Sequence, residues 1–112
     1  MEQITWQDFQ KVELRVGTIL DVEDFPEARN PAFRLKIDFG EEIGIKKSSA
    51  QITEIYEKND LLGKQVMAVV NFPAKQIGPM MSECLVTGFH DASGAVVLVS
   101  PDDVVPNGAK LL

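Results

Sequence analysis

One short segment limits the fold of this chain more than any other. In FRLKIDF, which covers Phe33–Phe39, apolar residues alternate strictly with charged ones. Successive side chains of a β-strand point to opposite faces, so this period of two predicts a strand with one face in a core and the other in water. Antiparallel sheets commonly have one solvated face, so the segment favours an antiparallel architecture.

Further β-like runs surround this strand. The pattern predicts a first strand from Val12 to Val22 that bends at Gly17, and a third strand over Ile43–Lys47. Three later runs are also typical of strands, and the turn-forming HDASG joins the last two; they are VMAVVNF, ECLVTGF and AVVLVS. A long, bent first strand followed by four or five short ones predicts a small closed barrel of the OB type, with a β-sandwich as the alternative.

Two helices are expected beside the strands. At the N-terminus, Thr5 is a candidate N-cap with Asp8 at the third helical position, and Trp6 and Phe9 fall on one face of the short helix. Between strands three and four, SSAQITEIYE has Ser48 or Ser49 as a candidate N-cap, followed by apolar residues at helical spacing.

Composition and charge narrow the class of protein. The 112 residues are 45% hydrophobic and 25% charged, which is typical of a single globular domain. A formal net charge of -6 argues against a protein that coats nucleic acid through bulk positive charge. Cys84 is the only cysteine, and the start MEQITW lacks the features of a signal peptide, so we expect a cytoplasmic protein without membrane insertion.

No group of residues predicts catalysis. His90 lies beside Asp91 in the expected hairpin turn, and a Ser-His-Asp site would need a distant serine such as Ser48, Ser49 or Ser82 to converge there. The paired acids Glu41-Glu42 and Asp102-Asp103 are typical of solvated turns. Cys84 opens an apolar strand, where a buried structural thiol is usual. We therefore expect no enzyme, metal or cofactor.

Four basic residues are expected to lie near one another if strands two and three pair as a hairpin. These residues are Arg34, Lys36, Lys46 and Lys47. Together with free N–H groups at the start of the helix expected after Ser48, they form a candidate phosphate site. Scattered surface charges, offset by neighbouring acids, fit the composition equally well.

The segment NFPAKQIGPMMSE, Asn71 to Glu83, is unusual for a connector. It carries a Gly-Pro pair and several apolar residues that an ordinary surface loop would leave in water. Methionine offers a deformable apolar surface suited to varied peptides. The candidate peptide-binding residues of this segment are Phe72, Ile77, Pro79, Met80 and Met81.

Four ordered blocks of the sequence carry a resemblance to a known family. They are ELRVGTIL, IDFGEEIGIKKSSAQIT, GKQVMAVVNFPAKQIGPMMSECLVTG and VVLVSPDDVVPNGAKLL. By these blocks the chain resembles the CsaA-type secretion chaperones. These belong to a wider family of tRNA-binding domains that includes free-standing tRNA-binding proteins and the appended domain of some methionyl-tRNA synthetases.

The resemblance implies an OB-fold barrel over residues 1–112, a homodimer and no catalytic activity. It also implies that the protein binds unfolded polypeptides or preproteins, with export machinery among its partners and a role in protein export. The short terminal extensions are expected to form the dimer interface, through Trp6, Phe9, Leu111 and Leu112.

The alternative that the resemblance leaves open is a structure-specific tRNA-binding accessory protein. Asn71, Lys75, Ser82 and Glu83 match positions of the family's tRNA-binding motif, and Arg15 lies in the RVG block. The candidate tRNA-binding residues are these five and the four basic residues of strands two and three. The segment from Asn71 to Glu83 has a single base, Lys75, which should weaken the phosphate contribution and favours polypeptide as the main ligand.

Overall fold

The alternating segment forms the second strand of a five-stranded antiparallel sheet in the computed structural model, which describes residues 1–112. The strands of this sheet lie in the order β3-β2-β1-β4-β7. The elements, in chain order, are α1 (Trp6–Gln10), β1 (Leu14–Asp24), β2 (Phe33–Asp38), α2 (Gly40–Ile43), β3 (Ile45–Ala50), α3 (Lys58–Leu61), β4 (Gln65–Val69), β5 (Lys75–Ile77), β6 (Met80–Ser82), β7 (Leu85–Val86), β8 (Gly88–His90) and β9 (Val96–Leu98). The mainly β, nearly closed barrel predicted from the sequence is confirmed.

The apolar side of β2 is the centre of the core. Phe33, Leu35, Ile37 and Phe39 are all buried, as the alternation predicts. Opposite strands add Ile19, Val66 and other apolar side chains to one continuous cluster. Each such side chain contributes about 1.5–3 kcal/mol when fully buried, so this cluster is the main source of stability.

The first strand contains a bulge that the sequence pattern does not predict. Its register against β2 shifts between Ile19 and Asp21, which leaves Leu20 as the extra residue of a bulge. The bend predicted at Gly17 stays a prediction, and the structure shows a further reason for glycine at this position. A Cβ on Gly17 would lie 2.6 Å from Cγ2 of Ile37 and 2.7 Å from Cδ1 of Phe39, so glycine is needed there because the core side chains pack against the backbone.

The helix predicted from Ser48 or Ser49 is wrong in position and length. Both serines lie in β3, and the helix between strands three and four is the single turn α3, where the Glu57 N–H donates to the Asp60 carboxylate at 2.8 Å. Ser48 is fully buried because it faces inward opposite Leu35, and its hydroxyl donates to the Cys84 carbonyl at 3.2 Å. A buried hydrogen-bonded serine and a capping serine have the same signature in sequence. The third strand likewise starts at Ile45 rather than at Ile43, which lies in α2.

The two chain ends meet beside β1. The predicted Thr5 cap is confirmed, since the Asp8 N–H donates to the Thr5 hydroxyl at 3.1 Å and the Asp8 carboxylate accepts from the Thr5 N–H. The C-terminal segment 108–111 lies along β1, where Gly108 N–H donates to the Val16 carbonyl at 2.7 Å and Leu111 N–H donates to the Leu14 carbonyl at 2.9 Å. The tail therefore extends the sheet along the first part of β1, which β2 does not reach.

Candidate binding groove

The segment from Asn71 to Glu83, predicted as a loop, contains a β-hairpin. β5 and β6 pair with Ile77 opposite Met80 and Lys75 opposite Ser82. Only Gly78 and Pro79 connect the strands, and Gly78 has φ 54°. Two-residue hairpin loops of the II′ class have glycine with positive φ at the first position, so Gly78 is suited to this turn.

Two of the candidate tRNA-binding residues, Ser82 and Glu83, hold this hairpin against the edge of β3. Lys47 N–H donates to Oε1 of Glu83 at 2.9 Å, and Glu83 N–H donates back to the Lys47 carbonyl at 2.8 Å. Ser49 N–H donates to the Ser82 hydroxyl at 3.1 Å. Side chains therefore satisfy the edge N–H groups of β3, and Ser82 and Glu83 close the barrel at this seam.

Asn71 fixes the start of the same segment. Its Oδ1 accepts a hydrogen bond from Glu13 N–H at 3.1 Å, and its Nδ2 donates to the Lys11 carbonyl at 2.7 Å. Both bonds satisfy backbone groups of the segment between α1 and β1. The amide of Asn71 thus ties the root of the hairpin to the N-terminal part of the chain.

A groove of about 950 Å³ runs beside the hairpin. Its walls come from the loop after β1, the end of β3, residues 72–77, and the start of β7. Phe72 and Leu85 line it with side chains that are 56% and 52% exposed, and Ile77 lines it half-buried. Arg29 and Lys75 are the charged residues of the groove, and its lining contains no Asp or Glu. In a chain of net charge -6, the groove therefore combines apolar surface with a local positive charge.

The two methionines have opposite positions. Met80, expected on an open surface, is buried against Phe25 and Ala32. Met81 is 42% exposed and points to the other face of β6, away from the groove. Pro79 lies at the turn, beside a smaller cleft. Of the five candidate peptide-binding residues, the structure therefore brings Phe72 and Ile77 to the groove and gives Met80 a supporting role beneath the hairpin.

The basic residues of β2 and β3 divide between two faces. Lys36 lies directly opposite Lys47, and Arg34 lies opposite Ser49 on the same outer face. A cleft of about 280 Å³ on this face also contains Asp21 and Glu23, which partly offset the positive charge. Lys46 lies on the inner side of β3, the side of Ser48, so the four bases expected to cluster are reduced to three. The expected phosphate site at a helix start is absent because Ser48 and Ser49 are in a strand.

Both arginines among the candidate tRNA-binding residues, Arg34 and Arg15, already have partners within the protein. Arg34 Nη2 lies 3.1 Å from a Glu23 carboxylate oxygen, and its guanidinium lies 5.4 Å from the centre of the Phe25 ring. Arg15 donates to the Gly108 carbonyl and to the Glu13 carboxylate, each at 2.9 Å. Arg15 therefore anchors the C-terminal tail and is largely covered by it.

The Glu13 carboxylate joins both chain ends. One oxygen pairs with Lys110 Nζ at 2.6 Å and the other pairs with Arg15. The hydrogen bond from Lys110, and to a smaller extent the one from Arg15, holds the pKa of Glu13 below its usual range. Lys110 also donates to the Gln10 carbonyl at the end of α1. The N-terminal helix and the tail are therefore linked on one side of the barrel.

The candidate dimer residues lie on these linked ends. Trp6 is 64% exposed, its ring centre lies 5.3 Å from that of the half-buried Phe9, and no residue of α1 is buried. Leu111 and Leu112 are exposed as well. These four side chains form apolar surface at the chain ends.

The remaining reactive groups have structural surroundings. Burial raises the pKa of the Cys84 thiol to about 11, which leaves it protonated near neutral pH. His90 Nδ1 lies 3.0 Å from the Gly94 carbonyl oxygen, and one oxygen of Asp91 accepts from Ser93 and Ala95 within the turn. No cluster of three or more potential metal-ligating side chains occurs, and no helix has the length and apolar character needed to span a membrane.

Several groove residues were not identified from the sequence. Arg29 and Asn30 come from the loop after β1, Gln51 follows β3, and Leu85 begins β7. Their contribution depends on how distant segments meet in the barrel, and no local pattern signals it. Leu85 was recognised only as part of a strand-forming run.

Comparison with known proteins relates this geometry to a family. Residues 14–110 match the model of the family described as "Putative tRNA binding domain". The crystal structure of the chaperone CsaA of Bacillus anthracis is 49% identical, with a TM-score of 0.91 over 99% of this chain and all of that one. The CsaA chaperone protein of Picrophilus torridus is 51% identical, with a TM-score of 0.91 over 98% of this chain and all of that one.

A second kind of relative is much longer. The methionine–tRNA ligase of Flavobacterium johnsoniae is 33% identical over 108 residues, which are 96% of this chain and 15% of the ligase. The chain spans about 15% of the length of this relative and of a similar ligase from Thermococcus onnurineus. The similarity therefore concerns one part of those enzymes.

Proposed function

Because the chain belongs to the tRNA-binding domain family, we propose that it is a chaperone-like binding protein that takes unfolded polypeptides or preproteins in the groove beside the β5–β6 hairpin. The observation that carries the proposal is the groove itself, where exposed Phe72 and Leu85 flank half-buried Ile77. Similarity to two CsaA chaperones over nearly the whole chain supports it. A role in protein export, in the cytoplasm and in contact with export machinery, belongs to this proposal.

The chemistry of the groove suits segments that expose apolar residues. Phe72 and Leu85 are both about half exposed, so a ligand that covers them gains roughly half of the 1.5–3 kcal/mol that full burial of each side chain contributes. Arg29 and Lys75 add favourable interactions with acidic or backbone carbonyl groups. The groove lining includes the potential nucleophiles Ser49, Ser82 and Cys84 but no histidine or carboxylate that could act as a general base, so the proposed function is binding without catalysis, metal or cofactor.

We propose that the protein acts as a homodimer through its chain ends. Trp6, Phe9, Leu111 and Leu112 supply apolar surface, and the Glu13–Lys110 pair keeps the helix and the tail together. A stable interface of standard size covers about 800 Å² of each partner. Sedimentation of the wild type and of Trp6→Ser tests this part, and a wild-type monomer at micromolar concentration contradicts it.

The test of the groove uses a fluorescently labelled, permanently unfolded preprotein. Replacement of both Phe72 and Leu85 by serine should weaken binding by about 2 kcal/mol, which is roughly thirtyfold in Kd. Leu62→Ser is the matched control, because Leu62 is 48% exposed and does not line the groove. Equal affinity of the double variant and the control would place polypeptide binding elsewhere or exclude it.

The second candidate function is binding of tRNA, alone or as an accessory to an enzyme. The observation that favours it is the outer face with Arg34, Lys36 and Lys47, which lies apart from the groove that Lys75 lines. Phosphate contacts predict an affinity that falls steeply with salt. A tRNA titration of the wild type and of Lys36→Gln with Lys47→Gln at two salt concentrations tests it, and absence of binding at low salt removes it. A pull-down from cytosol with the protein as bait, with and without ribonuclease, separates the two functions.

A further inference from the structure

The groove follows the edge of β5 rather than one of its faces. Ala74, Lys75, Gln76 and Ile77 all line it, whereas of β6 only Ser82 does. Successive side chains of a strand point to opposite faces. Consecutive residues can line one groove only where the groove runs beside the strand, so the backbone edge of β5 is part of its wall.

This backbone edge is unpaired. β5 has β6 as its single partner strand. A two-residue loop places a hydrogen-bonded pair at Ile77 and Met80 and the next at Lys75 and Ser82, so the N–H and C=O of Gln76 point away from β6. The backbone N–H and C=O of Ala74 also make no backbone hydrogen bond. The outward groups of Gln76 and the unpaired groups of Ala74 therefore supply four main-chain hydrogen-bonding groups at alternate residues.

We propose that the groove binds an extended polypeptide as an added β-strand on the outer edge of β5. This inference rests on the proposed function and specifies how the ligand is held. Main-chain bonds to Ala74 and Gln76 would give affinity that is independent of ligand sequence, while apolar contacts with Phe72 and Leu85 would add a preference for alternate apolar residues. A chain segment of about four residues, about 13 Å in length, matches this edge.

Features of the groove favour a polypeptide over a nucleic acid at this edge. Outward N–H and C=O groups at alternate residues match the alternating acceptors and donors of another peptide backbone, whereas the sugar-phosphate backbone of RNA offers 2′-hydroxyl donors and no N–H groups. The two charged residues, Arg29 and Lys75, are compatible with a neutral or acidic segment. Exposed sheet edges in proteins are commonly protected by charge or by a covering element; the edge of β5 carries one charge, Lys75, and the apolar side chains of Phe72 and Leu85 also line its groove.

The first test uses the wild-type protein and modified peptides. The probe is a fluorescein-labelled ten-residue peptide in which leucine alternates with serine, with a glutamate at each end. Two further versions carry N-methyl groups on the leucine amides or on the serine amides. Because alternate amides of an added strand face the partner edge, one methylated version should bind at least tenfold more weakly than the parent and the other should bind much as the parent does.

A second test changes the protein. Proline is tolerated where the N–H of an edge strand points to solvent, so Gln76→Pro removes the outward donor while it leaves the β5–β6 ladder in place. Gln76→Ala is the matched control, which removes the side chain and keeps the N–H. Gln76→Pro should lower affinity for the parent peptide roughly threefold to tenfold relative to Gln76→Ala, with an unchanged circular dichroism spectrum and Tm within a few degrees.

The outcomes separate the inference from the function on which it rests. Equal binding of the parent and both methylated peptides overturns strand addition and leaves polypeptide binding intact. Failure of the parent peptide and of the unfolded preprotein to bind at all removes the proposed function. If Gln76→Pro weakens tRNA binding and leaves peptide binding unchanged, the edge serves nucleic acid and the inference is wrong.

Discussion

The opposite positions of the two adjacent methionines give a sharp test of the hairpin. Met80 is 8% exposed and packs with Phe25 and Ala32, whereas Met81 on the other face is 42% exposed. Truncation of a buried methionine to alanine costs about 2–5 kcal/mol, and the cluster beneath the hairpin has only three buried residues, so the lower end of that range applies to Met80→Ala. Met81→Ala removes exposed surface and should change stability by less than about 0.5 kcal/mol.

The magnitude is large enough to measure by thermal or urea unfolding. For a chain of 112 residues the entropy of unfolding is about 0.24 kcal/mol/K near 60 °C, so a loss of 2 kcal/mol lowers Tm by about 8 °C. Met81→Ala should shift Tm by about 2 °C or less. Equal shifts for the two variants, or a larger shift for Met81→Ala, would refute the placement of Met80 beneath the hairpin.

Three other predictions follow from single residues. Gly17→Ala should destabilise the fold by about 1–3 kcal/mol in urea unfolding, because its Cβ would lie 2.6 Å from Ile37; a neutral effect contradicts the close packing. Glu13 has a pKa below the usual 4.5, mainly because of Lys110, so its stabilising contribution is present above pH 4.5 and is lost as the pH falls through the lowered pKa. The difference in unfolding free energy between wild type and Glu13→Gln should therefore shrink below about pH 4.5. A difference that stays constant with pH contradicts this prediction. Cys84, with a pKa of about 11, should react with a thiol reagent at neutral pH only after denaturation, and fast labelling of the native protein would show that it is accessible.

The regular parts of the barrel were predictable because local patterns determine them. The alternation of β2 is visible in the sequence, and all of its inward residues are buried. The reciprocal bonds of Thr5 and Asp8 need only residues three apart. The hairpin of β8 and β9 follows from turn residues between two apolar runs, and His90 and Asp91 lie at this turn as expected.

The errors arise where one residue type has two common roles. Ser48 was interpreted as a helix cap, but inward alternation in β3 and a hydrogen bond to Cys84 make it a buried strand residue. The pattern predicts a bend at Gly17, whereas the core side chains that pack against its backbone give glycine another role there, and the bulge after Ile19 has no local signal. In both cases the decisive partner is distant in sequence, so a local pattern cannot distinguish the roles.

In the candidate site, too, the role of a residue depends on partners that are distant in sequence. Asn71, Ser82 and Glu83 are predicted from the resemblance to belong to the tRNA-binding motif, and in the structure they hold the hairpin to the segment between α1 and β1 and to β3. Lys75, also from the motif, is exposed and lines the groove. Much of the motif therefore has a structural role here, and the groove depends on residues far from it along the chain.

The most direct test of polypeptide binding in the groove is a titration of the labelled, unfolded preprotein with three proteins. These are the wild type, the double variant Phe72→Ser with Leu85→Ser, and the control Leu62→Ser. We predict equal affinity for wild type and control and a Kd about thirtyfold higher for the double variant, at low and at high salt alike. A double variant that binds as tightly as the wild type would contradict the proposal that this groove holds polypeptide.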